Sequence, residues 1–195
     1  FEKKIVKQKV PIIYDYDDAI WLNDVSEANK DLKWLKRPEK TGDICKMASL
    51  VVVGNQYLAQ YAKQFNHNVA IVPTTIDTNY HISQSTTKNS DFVRIGWTGS
   101  STTLKHLKIL LPVLKTMSDK YSNRLKIRAI ADEPLHYNGL QIENVRWSAK
   151  DEVERLDEID IGIMPLPDDQ WSKGKCGFKG LQYMAMGIPA VMSPV

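Results

Sequence analysis

The stretch Asp160–Pro194, DIGIMPLPDDQWSKGKCGFKGLQYMAMGIPAVMSP, decides how the chain is read. Its apolar start, Ile161 to Met164, is short and bounded by turn residues, which predicts a buried strand. A polar loop carrying Trp171, Lys173 and Lys175 follows, then a helix opening near Gly177, then a second apolar strand after Gly187-Ile188-Pro189. Strand, glycine-bearing loop, helix and strand make a βαβ unit. Its helix N-terminus brings backbone N–H groups and a positive dipole end to a crevice at the sheet's carboxyl edge. With Lys173, Lys175 and Lys179 set around Gly174, Cys176 and Gly177, that edge favours a phosphorylated ligand.

Upstream, the same alternation repeats. Phe92–Trp97 reads as a strand, Thr98–Thr103 as a loop of small residues, and Leu104, Leu107, Leu111 and Leu114 as one face of a helix reaching Tyr121, with Pro112 bending it. Arg124–Ala131 is a further strand ending in Asp132-Glu133, and Ile142–Trp147 a shorter one. Ser148 is placed to cap a helix whose first turn is acidic at Asp151 and Glu152. Gly99 completes no G-x-G-x-x-G fingerprint and GxxxxGK[ST] is absent, so neither a dinucleotide site nor a P-loop is indicated. A loop such as Gly99-Ser100-Ser101 can still admit a phosphate to backbone donors, or simply start a helix.

Residues Thr74–Ser90 are rich in Ser, Thr and Asn and read as a linker, with His81 inside it as a solvated loop histidine. Before it, Lys9–Tyr14, Leu50–Val53 and Val69–Val72 are strand-like. A loop and short helix are expected over Asn23–Lys40, a second short helix around Ile44–Ala48, and a helix from an Asn55 cap to Phe65. Asp15, Asp17 and Asp18 fall at the carboxyl end of the first strand. They offer a general base or an anchor for substrate hydroxyls, a turn cap with solvated neighbours, or a hard-cation site that no second acidic cluster completes. The expected fold is α/β with Rossmann-like parallel sheets: residues 1–73 the end of one lobe, 74–90 the linker, 91–195 a second lobe.

Composition sets outer bounds. The chain has 195 residues and is 43% hydrophobic, and its 26 basic against 23 acidic side chains leave +3, too small a bias for wholesale nucleic-acid or membrane-surface binding. No apolar run approaches the ~18 residues of a membrane span, and FEKKIVKQKV lacks the apolar centre of a signal peptide, so a cytoplasmic protein is expected. Cys45 and Cys176 match no metal spacing and read as reduced thiols; no metal site and no cofactor is expected. Both ends look abrupt, as in a piece of a longer protein.

GWTGS at 96–100, GFKGLQYMAMGIPAVMSPV at 177–195 and YDYDDAIWL at 14–22 resemble retaining glycosyltransferases of the GT-B architecture, in the family 4-like (group 1) branch of bacterial polysaccharide and lipopolysaccharide sugar transferases. The resemblance implies an acceptor-side lobe up to about residue 73 and a nucleotide-sugar donor lobe from about 91, truncated at its carboxyl end. That class carries two glutamates seven residues apart at the closing helix, the second contacting the donor ribose. Here Gln182 stands at the second position and Gly174 at the first, a departure from the pattern. Lys105 is the only basic residue near the Gly99 loop, where the class carries an Arg and a Lys.

The activity implied is metal-independent transfer of a sugar, with retention, from a nucleotide sugar to a glycan or lipid-linked acceptor, either free in the cytoplasm or at the inner face of the membrane. Lys179 would stabilise the departing diphosphate as the bond breaks through an oxocarbenium-like state. Gly99, Ser100, Ser101, Lys105, Ser148, Lys175, Gly177, Phe178 and Gln182 would bind the donor, and Asp15, Asp17 or Asp18 would orient the acceptor. A non-catalytic module binding a nucleotide or sugar phosphate and a non-hydrolysing nucleotide-sugar epimerase are the alternative readings.

Overall fold

The computed structural model describes residues 10–22, 37–84 and 91–195. Residues 1–9, residues 23–36 of the expected loop and helix, and residues 85–90 of the expected linker lie outside the described residues. In chain order the elements are β1 (Ile13–Tyr16), α1 (Glu39–Met47), β2 (Leu50–Val53), α2 (Gln56–Ala62), β3 (Val69–Ile71), β4 (Val93–Thr98), α3 (Leu104–Tyr121), β5 (Leu125–Ala131), β6 (Ile142–Arg146), α4 (Glu152–Asp157), β7 (Ile161–Met164), α5 (Gln170–Lys173), α6 (Phe178–Ala185) and β8 (Ala190–Met192). The fold is α/β, and among the described residues the named strands pair in parallel.

The chain forms two compact units. One takes residues up to Thr74 with Asp168–Cys176 and Val195; the other takes Thr75–Pro167 and Gly177–Pro194.

The first unit is a sheet of order β1-β2-β3. Val51 and Val53 are fully buried from β2, and Leu58, Ala59 and Ala62 from α2, so the apolar stripe read from sequence is the face packed on the sheet. Asn55 caps α2, its Oδ1 accepting from the Leu58 N–H at 2.9 Å. The helix stops at Ala62 rather than continuing to Phe65. β1 runs to Tyr16, beyond the expected end at Tyr14, which puts Asp15 inside the strand and leaves Asp17 and Asp18 just past its carboxyl end.

The second unit is a sheet of order β6-β5-β4-β7-β8. From the central β4 the chain moves outward through β5 and β6, then returns to the other side of β4 for β7 and β8. That reversal is a topological switch point, where the loops leaving neighbouring strands diverge and open a crevice at the carboxyl edge. Leu104, Leu107, Leu111 and Leu114 of α3 pack into one core cluster with Trp97, Leu125, Ile127 and Ala129. On α6, Tyr183 is fully buried beside Leu156, Ile159 and Ile188. Closing this core at β7 requires a glycine, since a Cβ on Gly162 would fall 2.4 Å from Cγ of Tyr183.

Two local expectations need correction. Ser148 does not cap α4: that helix starts later, with Asp151 at its N-cap position, and the Ser148 hydroxyl accepts from the Lys150 N–H at 3.2 Å. His81, expected in solvent, is 5% exposed. Its segment is tied into the second unit: the Ser83 hydroxyl donates to Asp157 at 2.6 Å and the Tyr80 hydroxyl to the Ala149 carbonyl at 3.1 Å.

Candidate functional site

At the carboxyl edge of the second unit's sheet lies a pocket of about 410 Å³ lined by Thr98, Gly99, Ser100, Asp132, Trp147, Glu152, Phe178, Lys179 and Gln182. Each comes from a segment that the topology delivers to this edge. Thr98 ends β4, and Gly99 and Ser100 begin the turn after it. Asp132 follows β5, Trp147 follows β6, Glu152 opens α4, and Phe178, Lys179 and Gln182 lie on α6.

The β4 turn is built tightly. A Cβ on Gly99 would fall 2.4 Å from the Trp97 ring and 2.7 Å from Oγ1 of Thr103, so glycine is required there. Ser100 and Thr103 form a reciprocal capping box at the start of the turn. The Gly99 N–H donates to the Ile130 carbonyl at 3.0 Å and the Ser100 N–H to Thr103 Oγ1 at 3.0 Å, while the Ser101 N–H donates to Oδ1 of Asp132. The Ser101 hydroxyl adds a second bond to that carboxylate, at 2.8 Å, and holds the Asp132 carboxyl below its ordinary pKa. The donors that the sequence offered to a phosphate are thus engaged within the protein, those of Ser101 by a side-chain anion.

Opposite this turn, α6 begins at Gly177, whose φ of 73° is the left-handed conformation that glycine adopts without strain. The N–H groups of a helix's first turn have no acceptor within the helix. Phe178 is 46% exposed and presents its ring on the pocket wall. The Lys179 ammonium stands 5.9 Å from the centroid of the buried Trp97 ring. Below them, the Tyr183 hydroxyl accepts from the Thr98 N–H at 3.3 Å, fixing α6 to the end of β4. Burial pushes the Tyr183 phenol above its ordinary pKa, so it is a structural hydroxyl.

The pocket's far wall is a polar cluster. Oε1 of Glu152 accepts from Trp147 Nε1 at 3.0 Å and from Gln182 Nε2 at 3.1 Å. Gln182 is 3% exposed, and the same Nε2 lies 3.3 Å from Nε2 of His81.

Of the residues expected at the site, Gly99, Ser100, Phe178, Lys179 and Gln182 line this pocket. Ser101 lies just outside it, turned onto Asp132; Gly177 forms the N-cap of α6; Lys105 is exposed on α3; Ser148 is exposed in the turn before α4. Lys175 and Asp18 belong to the first unit and meet there, Nζ to carboxylate oxygens at 2.9 and 3.0 Å. Asp15 lies within β1, and Asp17 just past its carboxyl end. Sequence reasoning did not single out Asp132, Glu152 or Thr98 as site residues. Only the position of Asp132 after a strand carries a signal in the sequence, where Glu152 reads as a favourable charge on a helix dipole.

No protein-family model and no curated protein matches the sequence. Solved structures do match. One, described as "Trehalose-6-phosphate from E. coli bound with UDP-2-fluoro glucose", aligns with a TM-score of 0.64 at 10% identity, over 98% of this chain and 55% of that one. Another, "OtsA apo structure", aligns with a TM-score of 0.62 at 11% identity, over the same shares. At these identities the likeness is one of fold, a Rossmann-like architecture of the GT-B glycosyltransferase type. The chain spans about half the length of the structures it matches. Among the described residues, no helix is long and apolar enough to cross a membrane.

Proposed function

We propose that the chain is part of a glycosyltransferase and that its second unit holds a nucleotide-sugar donor. The observation that carries this reading is the convergence of Gly99, Lys179 and Gln182 on one pocket at the switch point of a parallel sheet. A diphosphate set between the β4 turn and the first turn of α6 meets an ammonium, backbone donors and the positive end of a helix. Phe178 and the 42%-exposed Trp147 offer flat apolar surfaces for the nucleoside. The fold shared with a structure described as bound to UDP-2-fluoro glucose supports the same donor class.

In this reading the reaction is sugar transfer with retention, without a metal, to a glycan or lipid-linked acceptor. As the glycosidic bond lengthens, negative charge grows on the leaving diphosphate. Lys179 and the α6 N-terminus stabilise it more strongly in the transition state than in the bound donor, which is what accelerates the step. Asp15 and Asp17 are the acceptor-side carboxylates, while Asp18 is already paired with Lys175.

The test is thermal melting with ADP, GDP, UDP and CDP, each with and without EDTA. A ligand that binds only the folded state raises the midpoint by mass action. The expected result is a rise with at least one nucleoside diphosphate, unchanged by EDTA; no rise with any of the four removes the proposal.

A further inference from the structure

The Glu152, Gln182 and His81 side chains fix one another's hydrogen-bonding roles. The Asp77 carbonyl, 3.2 Å from Nδ1 of His81, can only accept, so Nδ1 carries a proton and donates to it. The amide nitrogen of Gln182 can only donate, so Nε2 of His81, 3.3 Å away, is the acceptor of one of its hydrogens. The other hydrogen of that amide goes to Oε1 of Glu152 at 3.1 Å. Both donors of the Gln182 nitrogen are therefore spent inside the protein, at a side chain only 3% exposed.

Glu152 is differently placed. Its Oε1 takes two bonds, from Trp147 and Gln182, and these lock the carboxylate in orientation. Its Oε2 has no hydrogen-bond partner among the described residues, and the side chain lines the pocket. A carboxylate fixed through one oxygen, on a side chain that lines a cavity, is an acceptor awaiting hydroxyl donors. Lys179 stands three residues before Gln182 on α6, which is about 4.5 Å along a helix axis. The pocket is thus cationic at one end and hydroxyl-accepting at the other.

We infer that Glu152 is the residue that binds the vicinal hydroxyls of the nucleotide's ribose, and that Gln182 and His81 are positioning residues that aim its carboxylate. This rests on the nucleotide reading above. It differs from the role that the sequence resemblance gave to Gln182 itself, because here the amide nitrogen is committed to Glu152 and His81.

The test is calorimetric titration of the wild-type chain and its variants with the four nucleoside diphosphates and their 2′,3′-dideoxy counterparts. Wild type is expected to prefer the ribo form at least tenfold. Glu152→Ala should remove that preference while leaving the dideoxy affinity within about twofold. His81→Ala should reduce the preference several-fold, and His81→Gln, which can still accept from Gln182, should restore part of it. Gln182→Glu sets two carboxylates against each other and should weaken ribo binding.

A full ribo preference in Glu152→Ala, or tighter ribo binding in Gln182→Glu, overturns the inference. Equal wild-type affinity for ribo and dideoxy forms overturns it too and leaves the proposed function standing. Absence of any nucleotide binding by wild type sinks both. Should Glu152→Ala fail to fold, Glu152→Gln replaces it, and the preference is then expected to fall at least threefold; an unchanged preference counts against the inference.

Discussion

Both donors of Ser101, its backbone N–H and its hydroxyl, are held by the carboxylate of Asp132. A side-chain anion thus occupies donors in the very turn where an entering phosphate would look for them. Replacing it with an apolar methyl frees Ser101 and removes a like charge from the pocket. Asp132→Ala is expected to bind inorganic pyrophosphate several-fold more tightly than wild type, measured by calorimetry at pH 7.5. Weaker or unchanged binding would mean that the β4 turn is not part of the anion site.

Lys179 carries the cationic end of the proposed site. Charge-assisted hydrogen bonds contribute roughly 1.5–3 kcal/mol, so Lys179→Ala should weaken nucleoside diphosphate binding about tenfold to a hundredfold. Lys179→Arg should keep part of the affinity, since the charge survives while the geometry changes. Donor affinity and turnover unaffected by the alanine exchange would exclude this lysine from the phosphate role.

Gly162 and Tyr183 test the packing that holds α6 against the sheet. A methyl at 162 would press into the Tyr183 ring, whose hydroxyl is itself held by Thr98. Overpacking a filled core costs roughly 1–3 kcal/mol, so Gly162→Ala should melt several degrees lower. Since Thr98 and α6 both line the pocket, nucleotide affinity should fall with it.

Acid sensitivity should trace to the charged cluster at the opposite, amino end of β4 and β5. Burial alone would raise the carboxyls of Glu143 and Glu158, but the guanidiniums hydrogen-bonded to them, Arg94 and Arg128 on Glu143 and Arg128 and Arg155 on Glu158, hold both below their ordinary pKa. A folded-state pKa below the unfolded one, about 4.3 for glutamate, stabilises the fold above that value, and the contribution fades as pH falls through the lower one. Glu158→Gln should lower stability at pH 7 and flatten its dependence between about pH 5 and 3. Urea midpoints across that range would show it, and an unchanged slope would assign the acid response elsewhere.

The strands were legible because their chemistry is local. Leu50–Val53 and Ile161–Met164 are short β-branched or apolar runs closed by turn residues, and both form strands with those bounds. The Asn55 cap could be read for the same reason, since its partner is three residues away. What could not be read was any relation between distant segments. That Glu152 faces Gln182, 30 positions away, depends on the strand order around β4, which no spacing encodes. His81 does lie in a loop, but it reads as solvated in the sequence because Gln182, the side chain its buried ring meets, stands 101 positions onward. Asp18 and Lys175, separated by 157 positions, were read as two independent functional groups; geometry makes them an ion pair.

The sequence leaves the second unit at Asp168, spends nine residues in the first, and re-enters at Gly177, the cap of the helix that bears Lys179 and Gln182. A protein engineer who wanted the second unit by itself could therefore not obtain it with a pair of scissors. Any contiguous excision through Pro194 carries that excursion along without the sheet that anchors it, and a graft into another scaffold must either bring its docking surface or replace it with a designed bridge. Evolution faces the same constraint: shuffling at this seam exchanges two segments together or breaks the entrance to the helix.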